Sequence, residues 1–235
     1  MENAIIMASG LGTRMRPLTE KVPKPLIKVC GTPMVETVIE ALNARGVDKI
    51  YVVVGYLKEQ FSYLPEKYGN VYLIENPDYN TVNNISSVYY ACKVLEQGDC
   101  FICEADLYIS NRALFKKNLE HSSYFGKMVE GYSDDWVFES DASGYITRVG
   151  KVGTDCYNMV GISYFTAECA EVLARLINSA YGKPGYEKLF WDEVVDANLN
   201  KLKLRIMPVG KTDIIEIDTP EELEEVNKTF GRKNQ

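Results

Sequence analysis

The sequence lacks long apolar runs, an excess of basic residues and, almost entirely, histidine. No stretch approaches the roughly 18 apolar residues of a membrane-spanning helix, so membrane insertion is not expected. A net charge of -7 leaves too few cations to neutralise many phosphates, which argues against nucleic-acid binding. The first apolar run is short and Glu2 stands where a signal peptide would be basic, so we expect a cytoplasmic protein.

Metal or redox sites built from histidine and cysteine are also unexpected. His121 is the only histidine, and the six cysteines are scattered along the chain. Cys100 and Cys103 have the spacing of a zinc or redox pair, but they lie in the apolar run CFICEA and no second such pair occurs. We therefore predict reduced thiols, with these two buried as small apolar side chains.

Two common phosphate-binding motifs are missing from the glycine-rich stretch MASGLGTRMRPLTEKVPKPL. Gly10 and Gly12 are not followed by the third glycine of a dinucleotide-binding turn, and no GxxxxGK[ST] loop is present. Pro17, Pro23 and Pro25 exclude a long helix directly after the loop. A phosphate bound here must therefore be held by a different arrangement.

The same stretch does contain a cluster of cations. Arg14, Arg16, Lys21, Lys24 and Lys28 follow the glycines closely, although the chain is acidic overall. A glycine turn after a buried strand lets backbone N–H groups approach a phosphate, and neighbouring cations supply the matching charge. A structural turn with solvated cations is the alternative, and the clustering favours the phosphate site.

The first half of the chain alternates between β-rich and helical patterns. AIIMA, KIYVVVG, NVYLIEN and CFICEAD predict strands, and the segments between them predict helices. This order predicts an α/β fold with a Rossmann-like, mostly parallel sheet flanked by helices. Ligands of such sheets bind at the carboxyl ends of the strands, where the glycine loop, the NPDYN turn at 76–80 and Glu104-Ala105-Asp106 are expected.

The second half predicts antiparallel strands and amphipathic helices. KMVEGY, WVFES, YITRVG and NMVGISYF are strand-like, whereas TAECAEVLARLINSAYG, LFWDEVVDANLN and TPEELEEVNKTFG are helical. We predict one domain over residues 1–235, with a first half of about 1–106, a smaller antiparallel lid or insert of about 107–200, and closing strands and a helix over 201–235.

The stretch MASGLGTRMRPLTEKVPKPL resembles the signature of the nucleotidyltransferase (NDP-sugar pyrophosphorylase-like) superfamily. Most positions agree at fixed spacing, and Ser9 replaces the usual alanine or glycine. The resemblance implies that the first half binds a nucleoside triphosphate. It implies that Arg14 contacts the β- and γ-phosphates and that Lys24 stabilises charge as the α-phosphorus is attacked. The other implied nucleotide contacts are Ala8, Ser9, Gly10, Leu11, Gly12, Thr13, Asn80, Asn84, Ser86 and Glu104.

A magnesium site is implied by the same resemblance. Asp106 falls where the superfamily has a metal-binding aspartate at the end of a strand. IIEIDTPEEL resembles its closing motif, which assigns Asp218 as the second ligand. Two carboxylates and phosphate oxygens are ligands that suit Mg²⁺. Without the resemblance, Asp218 would be interpreted as a helix cap.

Within the superfamily, VGYLKEQFSYLPEKYG and NPDYNTVNNISSVYYA are similar to bacterial phosphocholine cytidylyltransferases. The candidate acceptor residues are Trp136 and Trp191, whose segments resemble this branch, the carboxylates Glu139 and Asp192 near them, and Lys151, which stands where the sugar enzymes have a phosphate-binding lysine. The two tryptophans would form an aromatic cage for a quaternary ammonium, with carboxylates nearby. A tryptophan buried in the core is the alternative for each. Lys151 is interpreted either as a ligand of the acceptor phosphate or as a solvated turn residue.

We therefore predict a Mg²⁺-dependent cytidylyltransferase that joins CTP and phosphocholine to give CDP-choline and pyrophosphate. Three alternatives stay open: transfer to 2-aminoethylphosphonate, transfer to a sugar 1-phosphate from UTP, dTTP or GTP, and a non-catalytic nucleotide sensor. The expected partners are CTP and a small zwitterionic phosphate or phosphonate.

Overall fold

The computed structural model describes residues 1–231, so the last four residues of the predicted closing segment lie outside the described residues. The strands are β1 (Glu2–Ala8), β2 (Lys28–Val29), β3 (Thr32–Pro33), β4 (Lys49–Val54), β5 (Val71–Glu75), β6 (Asp99–Glu104), β7 (Leu107–Ile109), β8 (Ser123–Ser140), β9 (Ile146–Phe165), β10 (Arg205–Val209) and β11 (Ile214–Glu216). The α-helices are α1 (Met34–Arg45), α2 (Tyr63–Tyr68), α3 (Ile85–Tyr90), α4 (Cys92–Leu95), α5 (Ala167–Ala180), α6 (Trp191–Asp196) and α7 (Pro220–Phe230).

A seven-stranded sheet in the order β10-β8-β9-β6-β1-β4-β5 forms the centre of the molecule. β6, β1, β4 and β5 are parallel to one another, as the alternating pattern of the first half predicts. β1 is central because its side chains are apolar on both faces: Ala4 and Ile6 belong to one apolar layer, and Ile5 belongs to the other. The predicted fold class is confirmed.

The antiparallel part of the structure is a continuation of this sheet. The four strands predicted between residues 127 and 165 merge into the two long strands β8 and β9. β9 pairs antiparallel with both β8 and β6, which joins the ribbon to the parallel strands. Irregular register along the β8–β9 pair explains why the sequence pattern appears broken there.

Two predicted helices are divided. VNNISSVYYACKVLEQG forms α3 and α4, because the backbone at Ala91 leaves the helical region. LKEQFSYLPEKYG forms a 3₁₀ turn at Lys58–Phe61 and then α2. Pro65 lies in the first turn of α2, where its missing N–H costs no intrahelical hydrogen bond. Across residues 1–231, no helix has the length and apolar character needed to cross a membrane.

The fold brings several chain segments to one edge of the sheet. β1 and β6 run side by side, so that Met7 pairs with Glu104 and both strands end at the same level. The 3₁₀ turns at Thr13–Met15 and Lys24–Leu26 follow β1, where the prolines prevent a long helix. β11 pairs with β7 directly after β6 and ends two residues before Asp218. Polar side chains from distant parts of the sequence therefore meet at this edge.

Candidate active site

The glycine loop after β1 opens into a cavity of about 250 Å³. Gly12 has a left-handed backbone (φ 61°), and a Cβ atom at this position would lie 2.8 Å from Cβ of Lys24. Only glycine avoids both the backbone strain and this clash. The carbonyl of Gly12 accepts a hydrogen bond from Oγ1 of Thr19 at 2.9 Å, which ties the loop to the segment that carries Lys24. The lining residues include Ala8, Gly10, Gly12, Thr13, Arg14, Lys24 and Asp106.

Lys24 is the buried cation of this edge. Its side chain is only 9% exposed, and its ammonium lies 2.5 Å from Asp106 and 2.6 Å from Asp218. Burial lowers the pKa of Lys24, but the ion pairs outweigh it and the pKa is raised above its ordinary value. Arg14 also pairs with Asp218, at 2.7 Å, while most of its side chain faces solvent. The two predicted metal ligands and the two predicted catalytic cations therefore meet at one point.

A cluster of carboxylates surrounds that point. Oxygen atoms of Glu104, Asp106 and Glu216 lie within 4.8 Å of one another. Burial, and then the carboxylates around it, raises the pKa of Glu216 to about 8, and the same causes raise the pKa of Glu104 well above its usual range. Lys24 and Arg14 balance only part of the negative charge of the four carboxylates Glu104, Asp106, Glu216 and Asp218. An all-oxygen donor set with excess negative charge suits a hard divalent ion such as Mg²⁺.

Glu216 was missed in the sequence, although a signal for it exists. It precedes Asp218 by two residues, just as Glu104 precedes Asp106 by two. Residues two apart in extended chain point to the same side. Each of the two segments therefore presents a pair of carboxylates to the cleft.

A second cavity, of about 310 Å³, lies beside the loop. Its wall contains a buried polar network in which Nδ2 of Asn76 donates to Oγ of Ser86 at 2.9 Å, and Oγ of Ser9 lies 2.9 Å from Oγ of Ser87. The residues around it are Met7, Ser9, Gly10, Arg14, Tyr79, Val82, Asn83, Asn84, Ser86, Ser87, Glu104, Asp106 and Glu216. Asn76, the first residue of the NPDYN turn expected at this edge, is fully buried and supports the wall without lining the cavity.

Not every residue predicted on this side reaches a cavity. Asn80 is exposed and does not line the cavities at the loop, whereas its neighbours Tyr79 and Asn83 do. Leu11 is 39% exposed and projects from the glycine loop without lining them. The loop after β5 turns tightly, and adjacent side chains therefore face in different directions.

The third cavity, of about 550 Å³, combines aromatic rings with carboxylates. Trp136 of β8 meets Phe190 edge to face at 5.4 Å between ring centroids. Nζ of Lys151 lies 5.6 Å and 5.3 Å from the centres of these two rings. The lining residues are Arg14, Glu104, Asp134, Asp135, Trp136, Lys151, Met159, Gly161, Phe190, Glu216 and Asp218. Because Arg14, Glu104 and Glu216 line both this cavity and the second, the two open onto the same cleft.

Three residues predicted for the acceptor are not brought to this cavity. Trp191 is only 3% exposed and packs on Tyr124, so it belongs to the core. Asp192 is equally buried and accepts a hydrogen bond from the hydroxyl of Tyr124 at 2.9 Å. Burial raises the pKa of Asp192 to about 7. Glu139 is exposed and pairs with Arg148 at 2.7 Å, outside the lining.

The aromatic ring next to Trp136 comes instead from Phe190, which the sequence did not single out. The facing residue depends on where α6 begins, and the local signal for that start is Glu193, which accepts from the N–H of Phe190 at 2.8 Å. The N–H of Trp191 donates to Oδ1 of Asn84 at 3.0 Å, and the N–H of Asn83 donates to the carbonyl of Glu187 at 2.9 Å. The loop that lines the second cavity thereby holds the segment that carries Phe190.

The sequence model of the MobA-like NTP transferase domain matches residues 4–187, which include the glycine loop, Lys24, Asp106 and the β8–β9 ribbon. The chain belongs to the MobA-like NTP transferase family. This membership confirms the predicted resemblance and makes the chain a nucleotidyltransferase. Asp218 and Phe190 lie beyond the matched range.

Relatives of this nucleotidyltransferase match almost its whole length. It is 57% identical over 221 residues to the 2-aminoethylphosphonate cytidylyltransferase of Lancefieldella rimae, covering 94% of this chain and 90% of the relative. It is 34% identical over 237 residues to the choline-phosphate cytidylyltransferase of Streptococcus pneumoniae, covering 98% and 99% of the two chains. The solved CTP:phosphocholine cytidylyltransferase of that organism superposes with a TM-score of 0.89 at 34% identity, covering 97% of this chain and 98% of that chain.

Proposed function

We propose that this nucleotidyltransferase joins CTP to 2-aminoethylphosphonate and releases pyrophosphate. The choice of acceptor rests on the burial of Trp191, which leaves the predicted two-tryptophan cage unformed. The acceptor cavity instead offers the exposed carboxylates of Asp134 and Asp135. A primary ammonium has N–H donors for such carboxylates, whereas a trimethylammonium has none. The 57% identity to a 2-aminoethylphosphonate cytidylyltransferase supports the same acceptor, which replaces phosphocholine as the preferred candidate.

The nucleotide half of the proposal rests on the cleft around Lys24. We propose that residues of about 1–106 bind CTP, with its triphosphate over the loop from Ala8 to Thr13 and its base near Asn84 and Ser86. Residues of about 107–200 then hold the acceptor. A Mg²⁺ ion held by Asp106 and Asp218, with Glu104 and Glu216 close by, would neutralise phosphate charge when bound.

The proposed reaction needs no covalent enzyme intermediate. A phosphonate oxygen attacks the α-phosphorus in line, an O–P bond forms, and the bond from that phosphorus to the pyrophosphate oxygen breaks. The phosphonate is already an anion at neutral pH, so no general base is required. Lys24 and Arg14 stabilise the charge that builds up on the phosphate oxygens, and the cleft supplies the orientation.

Phosphocholine is the second candidate. A relative at 34% identity is named for it, and Trp136 with Phe190 provides one pair of aromatic rings. The sugar 1-phosphate alternative gains no support from the acceptor cavity. The convergence of Lys24, Asp106 and Asp218 at one point favours an enzyme over a non-catalytic sensor.

Pyrophosphate release in the presence of Mg²⁺ tests this proposal. The acceptors vary the head group (primary amine or trimethylammonium) independently of the phosphorus linkage (phosphonate or phosphate ester). The four acceptors are 2-aminoethylphosphonate, its N-trimethyl derivative, phosphoethanolamine and phosphocholine. CTP, UTP, dTTP and GTP are compared with the best acceptor, and glucose 1-phosphate is the sugar control. We expect the highest kcat/KM with CTP and 2-aminoethylphosphonate, and a fall on trimethylation in both the phosphonate and the ester series. Higher kcat/KM with the trimethylated acceptors would reject the proposed acceptor.

A further inference from the structure

We propose that Lys151 determines which class of acceptor the enzyme takes. Its ammonium occupies the aromatic site of Trp136 and Phe190 and thereby excludes a quaternary ammonium from it. The inference rests on the proposed function, because it explains how a cavity with aromatic rings selects a primary amine.

The position of Lys151 follows from strand register. Lys151 of β9 pairs directly with Trp136 of β8, so their side chains meet across the ribbon. Nζ lies 5.6 Å from the Trp136 ring centre and 5.3 Å from the Phe190 ring centre. Both distances are within the range of a cation–π contact. The protein's own cation therefore stands where a trimethylammonium group would have to bind.

The backbone around Lys151 is held in place. Arg148 donates from Nη2 to the carbonyl of Lys151 at 2.5 Å and from Nη1 to the carbonyl of Val152 at 3.2 Å. Glu139 orients the same guanidinium through its ion pair. Val152 has a left-handed backbone (φ 69°), which marks a sharp irregularity in β9 at this point. Lys151 thus lies in a braced irregular stretch of β9, and Glu139 influences its position through Arg148.

The remaining groups of the cavity favour a primary ammonium once the rings are occupied. Asp134 and Asp135 are exposed beside Trp136, and both line the same cavity as Lys151. A primary ammonium can donate hydrogen bonds to these carboxylates while Lys151 stays on the rings. A trimethylammonium cannot donate, and it must displace the ammonium of Lys151 to reach an aromatic face. A cation on an aromatic face corresponds to roughly 2- to 30-fold in binding.

Lys151→Met tests the inference, with the ratio of kcat/KM for phosphocholine to that for 2-aminoethylphosphonate as the readout. Methionine keeps most of the side-chain volume but leaves no charge on the rings, so a trimethylammonium displaces an apolar side chain rather than a cation, and we expect the ratio to rise by about tenfold. Lys151→Arg keeps a cation that stacks on aromatic rings, and its ratio should stay near that of the wild type. Lys201→Met removes an exposed lysine outside this cavity and should leave the ratio unchanged.

Binding without turnover provides a second readout. Tetramethylammonium chloride should change the tryptophan fluorescence of Lys151→Met more than that of the wild type. We assign the change to Trp136, which lines the cavity, because Trp191 is buried in the core. A circular dichroism melt confirms that the variant is folded.

Failure of this inference differs from failure of the proposed function. If the wild type prefers 2-aminoethylphosphonate but Lys151→Met loses activity with both acceptors in parallel, Lys151 binds the acceptor phosphorus group and the specificity role is overturned. An unchanged ratio in Lys151→Met with full activity overturns it as well. If the wild type itself prefers phosphocholine, both the proposed acceptor and the excluding role of Lys151 are wrong.

Discussion

Replacing Lys24 by methionine should reduce turnover far more than it reduces the amount of folded protein. Methionine keeps most of the side-chain volume and removes only the charge. The ammonium of Lys24 makes ion pairs of 2.5 Å and 2.6 Å with two carboxylates that are themselves about one-fifth exposed. Breaking a fully buried ion pair costs roughly 3–5 kcal/mol. Because these carboxylates reach solvent, we expect a smaller loss, about 2–3 kcal/mol in the free energy of unfolding.

The effect on catalysis has a different origin and size. A positioned group that stabilises developing charge contributes roughly 10²–10³ in kcat. A domain with a stability of about 5–15 kcal/mol remains folded at 25 °C after losing 2–3 kcal/mol. A fall in kcat of at least about a hundredfold would then show that the folded protein has lost stabilisation of the transition state.

Urea unfolding followed by fluorescence gives the free energy of unfolding, and pyrophosphate release in the same buffer gives kcat. Lys28→Met is the matched control, because Lys28 is an exposed cation of the same segment and lines none of the three cavities. The control should keep wild-type kcat and stability. If Lys24→Met lost activity only in proportion to its unfolded fraction, Lys24 would be a structural cation and its catalytic role would be wrong.

Three further perturbations test other parts of the structure. Asp192 has a pKa of about 7 in the fold against an ordinary 3.8, so the folded protein binds the proton more tightly and stability falls as pH rises between these values. Asp192→Asn removes that pH-dependent loss, while its amide oxygen still accepts from Tyr124. Urea titrations should show the stability of the variant relative to wild type increasing by roughly 2–3 kcal/mol from pH 5 to pH 8. A difference that stays constant with pH would contradict the raised pKa of Asp192. Asn83→Ala removes the hydrogen bond from Nδ2 to the carbonyl of Lys188, in the segment before α6. Kinetics should therefore show higher KM values for both CTP and the acceptor. A higher KM for CTP alone would refute the link between the two cavities. Gly12→Ala places a Cβ atom 2.8 Å from Lys24, so calorimetry should show a lower melting temperature and assays a lower kcat, whereas a wild-type kcat would mean that the loop tolerates displacement.

Local pattern was enough to predict the centre of the fold and the site edge. The apolar run of β1 predicts a strand buried on both faces, and its place in a βαβ order predicts a parallel sheet. The glycines and cations that follow predict a phosphate site without any knowledge of distant contacts. The superfamily resemblance adds Asp106 and Asp218, which the structure brings to Lys24 although Asp218 lies 194 residues away along the chain. The glycines and cations lie in one short stretch, so residue type and spacing alone predict them, whereas Asp218 was predicted only through the resemblance.

The cavity proposed to bind the acceptor was decided by tertiary structure. Phe190 faces the cavity and Trp191 the core because of where α6 begins. Long-range hydrogen bonds from the loop at Asn83 and Asn84 hold that start, together with the local bond from the N–H of Phe190 to Glu193. Lys151 faces Trp136 because the irregularities of the β8–β9 ribbon set its register. A shift of one residue in a helix start or a strand register turns a side chain to another face. Residue type alone is a poor predictor of such a shift. The sequence by itself therefore determined the fold, the loop and the edge proposed to bind the nucleotide, whereas packing between distant segments decided which side chains line the proposed acceptor cavity.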